Sequence, residues 1–175
     1  MVSQPLSAPP HCFYVAGRAY ATGAHAIVKS GTRARYQNDF AFIVPCMMLI
    51  GHAIESYLKA WLAFREYDPD DLKRAPFGHN LRNLYAEART TGLPEPDMPP
   101  QQSFHDLVES YEKDHADFSF RYLREGWQFA VPKMDVIFDI LSVLDRVVGA
   151  EIYGVNPAPI GLSVDPREDF RPSNA

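Results

Sequence analysis

Cysteine is scarce in this sequence of 175 residues, which contains only Cys12 and Cys46. The two residues are far apart in apolar surroundings, and neither belongs to a CxxC pair. A disulfide framework and a cysteine-rich metal site are therefore not indicated. Free cysteines are usually buried as small hydrophobic side chains, so we expect two structural thiols in a reducing compartment.

Long hydrophobic runs are missing as well. The longest apolar stretch covers residues 40–51 and is interrupted by Pro45, whereas a membrane-spanning helix needs about 20 apolar residues. The first ten residues, MVSQPLSAPP, contain neither a basic start nor an apolar core, so we expect no signal or transit peptide. These features predict a cytoplasmic protein with no membrane partner.

Positive charge does not dominate the chain, because 17 lysines and arginines face 22 acidic residues and the net charge is −5. This balance argues against a broad nucleic-acid-binding surface but leaves a local basic groove open. The sequence also has no Gly-rich phosphate loop and no GxSxG motif. It therefore lacks the signatures of P-loop nucleotide-binding enzymes and of α/β-hydrolases.

Proline divides the chain into one domain with two tails. With 46% hydrophobic residues, a chain of this length can bury one sizeable core. Prolines mark connectors because they interrupt helices. We predict a flexible N-terminus at residues 1–10, a helical domain at 11–153 and a Pro-rich tail at 154–175. The three proline groups are Pro5, Pro9 and Pro10; Pro94, Pro96, Pro99 and Pro100; and Pro157, Pro159, Pro166 and Pro172.

Apolar residues between these connectors recur at three- and four-residue steps, which indicates amphipathic helices. Residues 13–30 form a weaker helical pattern, and the only indication of a strand is WQFAV at residues 127–131. The sequence therefore predicts an all-α fold, an antiparallel bundle of four to five helices. The four stripes are Phe40, Val44, Met47, Gly51, Ile54, Leu58 and Trp61; Leu81, Leu84, Tyr85 and Ala88; Phe104, Leu107, Val108, Tyr111, His115, Phe118 and Tyr122; and Met134, Ile137, Phe138, Leu141, Leu144 and Val148.

Specific residues mark the ends of these helices. Ser103 and Asp106 have the spacing of a capping box before the third stripe, and Pro132 suits the first turn of the last helix. Pro45 is expected either to kink the second helix or to begin it. Residues 40–51 are apolar on all sides, so this helix either lies at the centre of the bundle or is covered by a second chain. A homodimer is the simpler solution.

Glu55 and Lys59 introduce charge directly after this apolar run. Their i, i+4 spacing, with the glutamate first, favours an ion pair on one helix face. Spacing alone favours an exposed pair on a solvated face, where it contributes about 0.3–0.5 kcal/mol. The alternative is that the pair belongs to a functional site.

Three segments together resemble the HEPN superfamily of small helical bundles: AIESYLKAWLAF, GHNLRNLYAEA and SYEKDHADFSFRYLREG. The similarity in order and spacing extends from about Phe13 to Val148. Glu55 with Leu58-Lys59-Ala60 matches the first pattern of the family. His79-Asn80-Leu81 matches the second pattern, with Asn80 where aspartate is more usual, and Arg121-Tyr122 matches the third.

The resemblance implies a bundle that is usually dimeric, with a polar cleft near the dimer seam. Many members are toxin or defence proteins that cut RNA without a metal, and others bind nucleotides or serve as non-catalytic modules. We predict a non-catalytic binding module for a nucleotide, an RNA or a partner protein, of the kind found in toxin–antitoxin or defence systems. The predicted ligand-binding residues are Glu55, Lys59, His79, Arg121, Tyr122 and Arg124.

The alternative is a divergent, metal-independent HEPN ribonuclease. Catalytic members carry an arginine, four to six residues, and then a histidine, which suits acid–base catalysis beside a developing phosphate charge. Arg74 with His79 and Arg18 with His25 fit this spacing. The family places the motif in the later helices, however, and no histidine follows His115. If the chain is an enzyme, Arg74 and His79 are its candidate catalytic residues.

Metal ligation has weaker sequence support. His52 with Glu55, His105 with Asp106, and Asp114 with His115 place a histidine near an acid, but none forms HExxH or another ligand set of known spacing. We therefore predict neither a metal nor another cofactor. A last polar stripe is expected to be a solvated helix face; it contains Asp135, Asp139, Ser142 and Arg146.

Overall fold

The described part of the protein is all-α. The computed structural model describes residues 9–30, 40–95, 103–116 and 133–164, and these ranges contain five α-helices and no strand. The predicted fold class is confirmed, and the helix contacts are compatible with an antiparallel bundle. The WQFAV segment lies outside the described residues. The helices are α1 (Pro9–Lys29), α2 (Phe40–Phe64), α3 (Leu81–Thr90), α4 (Phe104–Ala116) and α5 (Met134–Tyr153), with a 3-10 turn at Asp71–Lys73.

Helix α2 lies at the centre of the bundle, because it packs against each of the other four helices. Within its apolar run the side chains of Val44, Cys46, Met47 and Ile50 are buried, and the neighbouring apolar side chains pack against the same core. The chain itself therefore covers the described part of this run, which corresponds to the first of the two predicted alternatives. The homodimer stays a prediction.

The predicted stripes form the core. All members of the four stripes whose side chains are described are buried. Phe118, Tyr122 and Pro132 lie outside the described residues. The capping box is confirmed, because Ser103 Oγ accepts from the Asp106 backbone at 3.1 Å and Asp106 Oδ2 accepts from the Ser103 backbone at 3.2 Å. Pro45 lies inside α2 rather than at its start.

Residues 154–164 continue the packing beyond α5. Arg18 Nη2 donates to the carbonyl of Ala158 at 2.7 Å, and His25 Nε2 lies 3.0 Å from the carbonyl oxygen of Ser163. Leu162 is 3% exposed and belongs to the core. The first half of the predicted tail therefore lies along α1. None of the described helices is both long and apolar enough to cross a membrane.

Candidate functional site

Five polar side chains meet where α2, α4 and the loop before α3 come together: His52, Glu55, Lys59, His79 and His115, here called the Glu55 cluster. The i, i+3 and i, i+4 spacings of the first three residues place them on one face of α2. His115 comes from the last turn of α4, and His79 lies two residues before α3 begins at Leu81. The cluster thus joins three segments that are distant in sequence.

Glu55 is the shared partner of the cluster. Its Oε1 accepts a hydrogen bond from Lys59 Nζ at 2.5 Å. Its Oε2 lies 2.6 Å from His115 Nε2, 3.0 Å from His79 Nδ1 and 3.8 Å from His52 Nδ1. One carboxylate is therefore held by a lysine on one oxygen and surrounded by three imidazoles on the other.

The Glu55–Lys59 pair is buried, with only 6% of Glu55 and 5% of Lys59 exposed. The expectation of an exposed pair on a solvated face is therefore wrong. The spacing along the helix is as expected, but His115 and the loop that carries His79 cover this face of α2. A buried ion pair must offset a desolvation cost of several kcal/mol per ion, so its hydrogen-bond partners matter more than those of a surface pair.

Burial and hydrogen bonding shift the pKa values of Glu55 and His115 in opposite directions. Burial raises the pKa of the Glu55 carboxyl, but hydrogen bonds with His115 and His52 and the charge of Lys59 outweigh this effect and hold the pKa well below its ordinary value. Burial lowers the pKa of the His115 imidazole, although Glu55 opposes the shift. At neutral pH, Glu55 is a carboxylate and His115 a neutral imidazole that can donate from Nε2 to it.

Gly51 allows the His115 ring to approach α2. A Cβ atom at position 51 would lie only 2.6 Å from His115 Nδ1 and 3.2 Å from Cε1. A ring held on its other side by Glu55 cannot move away from such a contact without losing a hydrogen bond. Close packing therefore favours glycine at this position, one turn before Glu55.

The three histidines lie at different depths. The exposed fraction of the side chain is 42% for His79, 18% for His52 and 4% for His115. Tyr20 of α1 contacts the His52 ring, with 5.4 Å between the ring centroids. The cluster therefore meets solvent at His79 and extends into the core at His115.

The structure brings some of the predicted site residues together. Lys59 and His79 each contact Glu55 directly. Arg74 is exposed, and among the described residues no hydrogen bond or ion pair joins it to His79. Arg121, Tyr122 and Arg124 lie outside the described residues, so their prediction as ligand-binding residues stays a prediction.

Two members of the cluster had little support from the sequence. His52 was named only as a weak metal candidate, although its spacing from Glu55 places both on one helix face. His115 belongs to an apolar stripe, which indicates burial, and its pairing with Asp114 gives it the same weak metal signal as His52. Its contact with Glu55 links residues 60 positions apart, and no local pattern contains that information.

A second buried polar network connects α1, α2 and α5. Asp145 is 2% exposed; it accepts a hydrogen bond from Tyr57 Oη at 3.1 Å and pairs with Arg18 Nε at 3.1 Å. Burial raises the pKa of the Asp145 carboxyl, and Arg18 opposes the shift. Arg18 and His25 form the second arginine–histidine match. In the structure Arg18 connects α1 to α5 through Asp145, and His25 contacts Ser163.

Comparison with known proteins gives no relative: no family model, no curated protein and no solved structure matches this chain significantly. Functional inference therefore depends on the geometry of the Glu55 cluster and on the resemblance described above.

Proposed function

We propose that this protein is a non-catalytic, HEPN-like binding module whose ligand contacts the Glu55 cluster. The observation that supports this proposal is that Lys59 and His79 both contact Glu55, although these residues come from two separate segments that carry the resemblance. A buried charged group with a strongly shifted pKa, open to solvent at one edge, is more typical of a binding site than of a packed core.

A nucleotide is the favoured ligand, ahead of an RNA or a partner protein. His79 presents a half-exposed imidazole, and imidazole N–H groups donate to phosphate oxygens. The His52 ring is mostly buried, with its centroid 6.4 Å from that of the His79 ring. A small phosphate-bearing molecule suits a single exposed imidazole better than an extended protein surface does.

Thermal denaturation of the full chain with nucleotides and with single-stranded RNA tests the proposal. A ligand that binds only the folded state raises the free energy of unfolding by about 2.7 kcal/mol at 100 times its Kd. We expect His79→Gln to remove the increase in Tm while leaving the Tm without ligand nearly unchanged. The matched control is His105→Gln, an exposed position on α4. An equal increase in both variants would contradict the site.

The alternative ribonuclease has one observation in its favour. Glu55 contacts His79 Nδ1 at 3.0 Å, and a carboxylate in this position orients an imidazole for acid–base catalysis. The test is cleavage of single-stranded RNA in the presence of EDTA. We expect little cleavage, and none that depends on His79. A loss of about 10²-fold or more in His79→Ala or Arg74→Ala, with the fold intact, would establish the ribonuclease instead.

The proposal includes a setting that the resemblance implies: a cytoplasmic homodimer in a toxin–antitoxin or defence system. One observation is compatible with the homodimer. Exposed apolar side chains such as Val15, Tyr153 and Val155 provide surface that a second copy can cover.

A further inference from the structure

The Glu55 cluster contains the donor set of a metal site. His52, Glu55 and His115 each offer one ligand atom, and these three atoms lie within 4.8 Å of one another. His52 and Glu55 are three residues apart on α2, and His115 lies on the facing helix α4. Metal sites in helical bundles are built in this way, from carboxylates and histidines on facing helices, often at i, i+3 spacing.

We propose that His52, Glu55 and His115 bind one divalent first-row transition metal ion, with His79 on the solvent side of the site. Imidazole nitrogens with one carboxylate oxygen suit Zn²⁺ and its neighbours, whereas Mg²⁺ and Ca²⁺ prefer oxygen ligands alone. Three protein ligands leave a coordination position for His79 or water. The proton that His115 Nε2 donates to Glu55 is released or moves to Nδ1 when the ion binds, because a ligating nitrogen must be deprotonated. The inference does not depend on nucleotide or RNA binding, because metal binding is measured without either ligand.

The carboxylate is already oriented for this role. Lys59 Nζ holds Oε1 at 2.5 Å, which leaves Oε2 as the atom that faces the histidines. Carboxylate ligands of metals are commonly fixed by such outer hydrogen bonds. The positive charge of Lys59 also opposes that of an ion, so we expect micromolar rather than picomolar affinity.

Hydrogen bonding alone does not require this arrangement. A carboxylate oxygen has two lone pairs, and His115 Nε2 and His79 Nδ1 already lie at hydrogen-bond distance from Oε2. His52 brings a third nitrogen to 3.8 Å from the same oxygen. Several nitrogens gathered around one carboxylate oxygen are what a coordination shell needs.

The shifts needed to admit an ion are small. Bonds of about 2.0–2.2 Å in a tetrahedral site separate the ligand atoms by roughly 3.3–3.6 Å. The 2.6 Å separation of Glu55 and His115 must widen, and the 3.8 Å separation of Glu55 and His52 must shorten. Each of these two changes is about 1 Å or less. The ligand atoms of His52 and His115 lie within 4.8 Å of each other and must approach by up to roughly 1.5 Å.

The experiment is metal titration of the purified full chain after treatment with EDTA and removal of the chelator. Zn²⁺ binding is measured by calorimetry, and Co²⁺ binding by visible d–d absorption. We expect one ion per chain with micromolar or tighter affinity and an increase in Tm upon Zn²⁺ addition. Failure of wild-type protein to bind either ion at this affinity would overturn the proposal.

Variants distinguish this site from adventitious binding. His115 is deeply buried and its replacement can disturb the fold, so the main variant is His52→Gln at a partly exposed position. We expect it to weaken Zn²⁺ binding by at least about 10-fold, and Glu55→Gln to do the same. His105→Gln removes an exposed histidine near Tyr85 and should bind as the wild type does. Wild-type affinity in His52→Gln, or an equal loss in His105→Gln, would overturn the proposal.

Discussion

Gly51 determines how closely α4 approaches α2. We expect Gly51→Ala to lower the free energy of unfolding by about 1 kcal/mol, because a new Cβ would lie 2.6 Å from His115 Nδ1. Overpacking of a core costs about 1–3 kcal/mol, and the better helix propensity of alanine returns up to about 1 kcal/mol. Urea denaturation measures the change.

Gly23 on α1 provides the matched control. A Cβ at this position would meet only Leu49 Cδ1 at 3.5 Å, an ordinary van der Waals contact. Gly23→Ala should therefore raise the free energy of unfolding by about 0.5–1 kcal/mol, from helix propensity alone. Stabilisation by both substitutions would show that His115 is not confined by Gly51.

Single residues of the site were only partly predictable. The spacing of Glu55 and Lys59 correctly indicates an ion pair, because it depends on helix geometry alone. Their burial depends on His79 and His115, which are 24 and 60 residues from Glu55 along the chain. A pattern that covers one helix contains no information about which distant residues cover it.

The start of α3 depends on Asn80. Its side chain accepts a hydrogen bond from the Asn83 backbone at 2.8 Å, as an N-cap residue does. We expect Asn80→Ala to reduce the free energy of unfolding by about 1 kcal/mol. Asn80→Asp preserves the acceptor and adds a favourable charge at the helix N-terminus, so its stability should be close to that of the wild type.

Chemical denaturation of the two Asn80 variants measures this difference, and circular dichroism confirms that both retain helix. An equal loss in both variants would show that the side-chain amide, rather than the capping oxygen, stabilises this turn.

Helices as elements were the most predictable part of the protein. Apolar stripes and the Ser103–Asp106 capping box depend on residues within one or two turns of each other, so the sequence contains them directly. Two features depend on tertiary contacts instead. Pro45 is tolerated inside α2 because packing can override local propensity. Residues 154–164 carry few large apolar side chains, and their hydrogen bonds to α1 have no local signal.

At the scale of the whole molecule, buried tyrosines predict a limit to alkaline stability. Burial raises the pKa of Tyr14, Tyr57 and Tyr111 well above the ordinary value of 10.0. Above about pH 10 the unfolded chain loses these protons while the folded chain retains them. The contribution of the three tyrosines to the free energy of unfolding is therefore fully present below this pH and is lost as the pH rises. Each group contributes a slope of about 1.4 kcal/mol per pH unit.

Urea denaturation from about pH 9 upward measures this slope. Tyr111→Phe should reduce the slope by about 1.4 kcal/mol per pH unit, the contribution of one proton. Titration of all three buried tyrosines near their ordinary pKa in the folded protein, followed by tyrosinate absorbance, would contradict the prediction.

The oligomeric state is a second property of the whole molecule. We expect light scattering to give a mass of about 40 kDa, twice the 19.8 kDa of one chain, at micromolar concentration. Val155, with 66% exposed, is the most exposed large apolar side chain of the described residues, and Val155→Asp should shift the mass towards the monomer. A mass near 19.8 kDa for the wild-type protein, that of one chain, would contradict the homodimer prediction.

The contacts between residues 154–164 and α1 also determine when folding can be completed. They join residues 140 and 138 positions apart, Arg18 with Ala158 and His25 with Ser163. Contacts of such long separation close almost the whole chain into one loop, at an entropy cost that grows with the logarithm of its length. The α1–α2 pair can form early from neighbouring segments, but its outer contacts must wait until residue 164 has left the ribosome. We therefore expect the bundle to complete its folding only after residue 164 has been synthesised.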